Sequence, residues 1–317
     1  MGDTPRHAVA LVLVGLALAA TTSGACRRSR TLPPCVEAPP DHGPKVETGG
    51  DPVVLAAGDI ADELNPTSAV ATAGLLDQND GIVLALGDAV QGDGSLDELL
   101  DVYGPTWGRH RWRTHPVPGN HDYLAPHAGP YFAYFCAAAG EPFKGFYSFD
   151  VGAWHLVALN SICADGNTND VDCAASSEQE RWLRADLAAH PALCTLAYWH
   201  QPLFSSTEGS NTGTQDLWRA LYDAGVELVL NGHAHVYERF APQTPDGALD
   251  PSRGIRQIVV GTGGAPPVSF GATAANSEVR ISGRYGVLKL TLRASDYAWQ
   301  MLTIEGDIVD QGSAPCH

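Results

Sequence analysis

Five short segments of this 317-residue chain carry oxygen and nitrogen donors in an order suited to holding metal ions. They are Gly58-Asp59, Gly87-Asp88, Gly119-Asn120-His121-Asp122, His200 and Gly232-His233-Ala234-His235. Carboxylate oxygen, amide oxygen and imidazole nitrogen are the donors that zinc, iron and manganese take. Any one segment is a weak signal. An isolated His-x-His is often structural, a single His after aromatic residues is more often a satisfied core residue, and Asp after Gly is commonly a turn. The set says more, because each donor directly follows a segment that reads as a strand. Two cations about 3.5–4 Å apart repel each other unless a carboxylate and a hydroxide lie between them, and Asp88 is the candidate bridge. Water shared by two such ions loses a proton near neutral pH and becomes a nucleophile.

The elements that must hold these donors are legible as an alternation. Apolar runs at 53–57, 82–86, 193–199 and 226–230 read as buried strands, and 114–118 as an extended segment leading to Asn120. Between them, Asn65-Pro66-Thr67 opens a helix towards 77, with Pro in its first turn. Segments 95–103 and 215–224 read as helical, and Ser177 with Glu180 forms a capping box for a helix to about 190. Segments 146–150 and 154–159 read as paired strands; 256–260, 286–292 and 297–304 continue a β-rich last third. Strands alternating with helices, followed by a run of strands, predict an α/β domain with two sheets. Donors at the carboxyl ends of such strands converge on one edge.

Hydrophobic residues make up 44% and charged residues 17% of the chain, a globular composition. The net charge of −17 argues against nucleic acid and anionic membrane surfaces as partners. It also repels a free phosphate ester, so phosphate chemistry here needs a strong local positive centre. Arg6 and His7 precede an apolar run at 8–20 and then Ser23-Gly24-Ala25, the pattern of a secretory signal over 1–25. Because the run ends at Cys26, it also resembles a bacterial lipoprotein signal, and lipid anchoring through Cys26 and plain secretion both stay open. Either way the protein is expected to be exported, with no transmembrane helix in the mature chain. Residues 26–52 read as a Pro/Gly-rich linker, 53–310 as the catalytic domain and 311–317 as a C-terminal tail. Apart from Cys26, the chain has Cys35, Cys136, Cys163, Cys173, Cys194 and Cys316, an even set that reads as disulfides. Cys163 and Cys173 bracket a polar loop and are expected to pair; Cys35 with Cys316 would tie the two ends.

Tyr198-Trp199-His200-Gln201-Pro202 and Gly232-His233-Ala234-His235-Val236-Tyr237-Glu238-Arg239 carry a closer likeness. With the Asp59, Asp88 and Asn120-His121 segments, they resemble the calcineurin-like metallophosphoesterase superfamily, and more closely its purple-acid-phosphatase-like branch. The resemblance covers 53–310. It implies a four-layer αββα sandwich of two mixed β-sheets flanked by helices, with two divalent or trivalent ions (Fe, Mn or Zn). One ion would take Asp59, Asp88 and His235, the other Asp88, Asn120, His200 and His233. His121 matches the family's residue that contacts the phosphoryl group and protonates the leaving oxygen.

Two positions depart from the family pattern. Some branches have His two residues after the first Asp, where Ala61 stands, and purple acid phosphatases have Tyr three residues after the bridging Asp, where Gln91 stands. Either Gln91 donates its amide oxygen or water fills the gap, and no phenolate charge-transfer colour is expected. Asp122 reads equally as support for a site His and as a turn Asp. Tyr237 is expected to line the pocket, and Glu238 and Arg239 to pair behind the His loop. Gly261-Thr262-Gly263-Gly264 lacks the Lys of a nucleotide loop and reads as a turn. Arg109, Arg111 and Arg113 read as a solvated basic face, with a substrate contact by one of them as the alternative. The function expected is hydrolysis of phosphate monoesters on a small phosphorylated substrate, outside the cytoplasm, by a metal-bridging hydroxide. A phosphodiesterase on the same site and a non-catalytic, metal-stabilised surface binding module are the alternatives. Substrate choice is expected to lie in loops 164–172 and 205–214.

Overall fold

The computed structural model describes residues 1–2, 34–36, 50–163, 171–207 and 212–317. The reading of a signal segment and of Cys26 as an anchor falls outside these residues, as do most of the linker and part of both loops expected to choose substrate. Among the described residues, no helix is long and apolar enough to cross a membrane.

In the first half, β1 (Val53–Ala57), β2 (Ile82–Leu86) and β3 (Thr114–Val117) lie parallel, with α1 (Pro66–Asp77) between the first two. A short α2 (Leu96–Glu98), opened by Ser95 Oγ accepting from Glu98 N–H, runs directly into a π-helical turn (Leu99–Tyr103). A 3-10 turn (Trp107–Arg113) precedes β3, and α3 (Gly129–Phe135) follows it. The hairpin β4 (Tyr147–Val151) and β5 (Trp154–Ala158) comes next, then α4 (Glu178–Ala189), β6 (Cys194–Tyr198), α5 (Gln215–Asp223) and β7 (Leu228–Asn231). The expected capping box is present: Ser177 Oγ accepts from Glu180 N–H at 3.1 Å. The chain closes with β8 (Tyr237–Phe240), β9 (Arg256–Val260), β10 (Ser277–Ile281), β11 (Gly286–Leu292), β12 (Asp296–Thr303) and β13 (Ile308–Pro315).

These strands form two mixed sheets, ordered β13-β12-β11-β1-β2-β3 and β10-β8-β9-β7-β6-β5-β4. Side-chain alternation sorts the core into layers. Leu156, Leu196, Tyr198, Leu228 and Leu230 join the cluster of Val54, Leu84, Leu288 and Leu290 between the sheets. The residues that alternate with them, Val157, Ala197 and Val229, join Leu183 of α4 and Leu217, Trp218 and Leu221 of α5. Strands buried on both faces read as continuous apolar runs, which is why they were visible in the sequence. The result is two mixed sheets flanked by helices, as expected.

Four expectations change. Residues 311–317 are not a trailing tail, since β13 continues to Pro315 along β12. Cys316 pairs with Cys194 (Cα–Cα 5.5 Å), not with Cys35, whereas Cys163 and Cys173 pair as expected. The arginines are not a solvated face, because Arg111 and Arg113 are buried. Arg113 donates to Leu76 O at 2.6 Å, Gly81 O at 2.8 Å and Asn79 O at 3.0 Å, tying the end of α1 to the turn that leads into β2. Glu238 and Arg239 do not pair: Glu238 accepts from Ser206 N–H at 2.9 Å and Ser277 Oγ at 2.6 Å, while Arg239 Nε donates to Asp310 Oδ2 at 2.7 Å.

Candidate metal centre

Each donor sits just past the carboxyl end of a strand, in a loop stitched to its neighbours. Asp59 N–H donates to Gly87 O at 3.1 Å and Ile60 N–H to Asp88 O at 3.0 Å, so the loops after β1 and β2 stay in register beyond the strands. Gly232 N–H likewise donates to His200 O at 2.9 Å. Asp59, Asp88 and His233 take φ of 59°, 48° and 69°. Left-handed backbone is uncommon for non-glycine residues and clusters where a site dictates side-chain direction.

The side chains form two adjoining groups. In one, His200 Nε2 lies 3.1 Å from Asn120 Oδ1 and 3.3 Å from Asp88 Oδ2, with the His233 ring 5.0 Å from the His200 ring. In the other, His235 Nε2 lies 3.3 Å from Asp59 Oδ1, and Asp59 Oδ2 accepts from His233 N–H at 2.7 Å. Ligand atoms of Asp59, Asp88 and His200 all lie within 4.8 Å of one another, which joins the two groups. The structure therefore brings together Asp59, Asp88, Asn120, His200, His233 and His235, with His121 beside Asp88.

The donor chemistry fits cations. Ligands at the usual zinc–nitrogen and zinc–oxygen lengths stand about 3 Å apart around one ion, which is the separation of these facing atoms. Asp59 and Asp88 are almost wholly buried, and Asp59 Oδ1 makes no hydrogen bond. Two buried carboxylates without a cation are costly. Protons answer that need when metal is absent. Burial pulls His200 down, but the Asp88 carboxylate beside it pushes it up to about 10. Burial also opposes charge on His235, yet its contact with Asp59 pushes it up to about 9.

Both imidazoles are oriented from behind, by contacts the sequence did not suggest. His200 Nδ1 lies 2.8 Å from Leu86 O, and His235 Nδ1 lies 2.9 Å from Pro266 O. A carbonyl on Nδ1 fixes the proton there and leaves Nε2 as the donor. The glycine-rich turn after β9 has a similar supporting place: Gly263 N–H donates to Gly58 O at 2.9 Å and Ala265 N–H to Asp59 O at 2.8 Å. Its signal was a run of small residues after a strand, which permits close backbone approach.

His121 is part-exposed at the edge of the group. Its N–H donates to Asp88 Oδ1 at 2.8 Å, its Nδ1 lies 3.2 Å from Gly92 O, and its Nε2 is 4.0 Å from Asp88 Oδ2. Asp122 lies behind: its Oδ2 accepts from Gly119 N–H at 2.8 Å and Asp88 N–H at 3.1 Å, binding the Asn120 loop to the Asp88 loop. Gln91 stands beside the Asp59 loop through its N–H to Ala61 O at 2.9 Å, and its buried amide nitrogen makes no hydrogen bond. Tyr237 is a correction. Its hydroxyl donates to Asp310 Oδ2 at 2.7 Å, so it bridges the two sheets instead of lining the pocket. A second donor cluster, His155, Asp186 and His190, is better explained without metal. Both nitrogens of His155 already face carboxylates, Asp150 at 2.7 Å and Asp186 at 2.9 Å, as an imidazolium would.

Fold and site together define a metallophosphoesterase class, and comparison with known proteins agrees. Residues 52–237 match the calcineurin-like phosphoesterase family, and the chain belongs to it. Among curated relatives, purple acid phosphatase 15 of Arabidopsis thaliana is 31% identical over 189 residues, covering 52% of this chain and 34% of that protein. The chain thus spans about a third of that relative's length. Among solved structures, a purple acid phosphatase from yellow lupin (Lupinus luteus) seeds superposes with a TM-score of 0.67 at 20% identity, over 83% of this chain and 53% of that one. GAP50, the anchor in the inner membrane complex of Plasmodium, superposes with a TM-score of 0.64 at 15% identity, over 84% and 90%. At such identities the two structures show a shared fold.

Proposed function

We propose that this chain is a metal-dependent hydrolase of phosphate monoesters that works outside the cytoplasm. One ion would be held by Asp59, Asp88 and His235, and the other by Asp88, Asn120, His200 and His233. The observation that carries this reading is the pair of buried carboxylates, Asp59 and Asp88, each facing the Nε2 of an imidazole whose Nδ1 is tied to a backbone carbonyl. When bound, the ions supply Lewis acidity towards the phosphate oxygens and the attacking water. The protein supplies the rest. Asp122 and the left-handed turns hold the donors in place. His121 would give a proton to the leaving oxygen, a role supported by its Nδ1 at Gly92 O and its Nε2 beside Asp88. Export accords with the two disulfides, which persist in oxidising compartments.

Turnover of an aryl phosphate and of a bis-aryl phosphate diester, with added Mn²⁺ or Zn²⁺, tests the reading, with metal content measured on the same samples. Wild type is expected to bind metal and favour the monoester. His121→Ala should keep its metal and lose roughly 10²–10⁴-fold in rate, while Asp88→Ala should lose both. Equal rates for wild type and His121→Ala would remove the proton-donor role. Metal binding without turnover of either ester would point to the binding-module reading.

A further inference from the structure

A short peptide ahead of the first strand is docked on the end of α3. Val36 N–H donates to Ala133 O at 2.9 Å, and Val36 O accepts from Arg111 Nη2 at 3.0 Å. The other terminal nitrogen of Arg111 donates to Tyr134 O at 2.9 Å, so one buried guanidinium clamps the peptide to the helix. Cys136 follows α3 directly and takes φ of 53°, a left-handed value that residues other than glycine adopt at a cost. Its Sγ turns to this junction, 3.2 Å from Ala133 O and 3.8 Å from Val36 O. The Cys35 side chain is in hydrogen-bonding contact with it. Cys163, Cys173, Cys194 and Cys316 are already paired, and among the described residues Cys35 and Cys136 carry the free thiols.

We propose that Cys35 and Cys136 form a third cystine, which fastens the chain ahead of β1 to the element that follows the Asn120-His121 loop. Bond formation requires a disulfide-bearing oxidant, such as an exchange catalyst of the exporting compartment. The exposed Cys35 sulfur takes one sulfur of the oxidant as a mixed disulfide and releases the other as a thiol. Cys136 sulfur then attacks Cys35 sulfur and expels the second thiol. The two cysteines lose two protons and two electrons, and the oxidant gains both as two thiols. Burial, together with the neighbouring Cys35 thiol, pushes Cys136 up to about 11, so at neutral pH Cys136 holds little thiolate and the exposed Cys35 is the sulfur that meets the exchange partner first.

The chain suits a direct test. Trypsin cuts after Arg30 and Lys45 and after Arg113 and Lys144, so peptides 31–45 and 114–144 each carry one cysteine. Protein made in an oxidising compartment is denatured without reductant, alkylated with iodoacetamide, digested and weighed. The expected product is 31–45 joined to 114–144, lighter by two hydrogens than the sum, and split by reduction. Both peptides recovered alkylated, or either joined to a peptide carrying Cys26 or any other cysteine, overturns the proposal. Cys35→Ser should add one alkylated thiol at Cys136, and Cys136→Ser one at Cys35. Either variant lacking that new thiol counts equally against it.

Discussion

Asp122 shows how a residue outside the donor set can control it. Its Oδ2 holds two buried N–H groups, on Gly119 and on Asp88, that belong to different loops. Burial, with the nearby Asp88 charge, pushes its carboxyl up to about 8, so at neutral pH the metal-free protein holds it largely protonated. An amide is then close to the species present. Asp122→Ala should cost roughly 2–4 kcal/mol in urea unfolding of metal-free protein, since two buried donors lose their acceptor. Asp122→Asn keeps an acceptor oxygen and should cost less than half as much. Equal losses in the two variants would mean that the carboxylate charge matters and not the acceptor. At this scale the donors were legible, because a polar residue directly after an apolar run is conspicuous. The residues that aim them were not. Leu86 and Pro266 act through backbone carbonyls, and a side-chain pattern says nothing about carbonyls. Tyr237 was misplaced for a related reason: its neighbours in sequence are donors, but its partner, Asp310, comes from the other sheet.

Among elements, buried central strands and capped helices were readable, and edge elements were not. β10 (SEVRI) and β13 (IVDQGSAP) alternate exposed and half-buried positions and carry charge, Gly or Pro, which are poor strand signals. The helix α3 (GPYFAYF) is buried nearly all round, so it has no polar face to reveal a helical period. The turn after β2 shows what a strand end must provide. Gly87 has φ of 84°, and a Cβ there would meet His200 Nδ1 at 2.5 Å. In Gly87→Ala the ring must move off Leu86 O, and the left-handed backbone adds about 1 kcal/mol or more. Lower stability and loss of bound metal are expected, read by thermal unfolding and elemental analysis. Gly74 is the control. It lies in α1 with nothing within 4 Å of an added Cβ, so Gly74→Ala should gain up to about 1 kcal/mol and keep its metal. A Gly87→Ala protein with full metal content would show that the imidazole does not need that space.

Across the whole molecule, the pairing of one sheet with the other was the least legible feature, because it rests on contacts between residues far apart in sequence. Cys194 opens β6 in one sheet, and Cys316 follows β13 at the edge of the other, at a sequence separation of 122. This cystine therefore staples the sandwich, alongside the hydrogen bond from Tyr237 to Asp310 and the ion pair from Arg239 to Asp310. Closing a loop of that length removes unfolded-state entropy worth on the order of 5 kcal/mol. The staple is also remote from the chemistry. Cys194 opens β6 and His200 lies just past its other end, roughly 20 Å of extended chain away. The double variant Cys194→Ala, Cys316→Ala should therefore melt several degrees lower, yet retain wild-type metal content and wild-type turnover at 25 °C. If rate and metal content fell with the melting temperature, the donor end of the sandwich would depend on how tightly its opposite end is held.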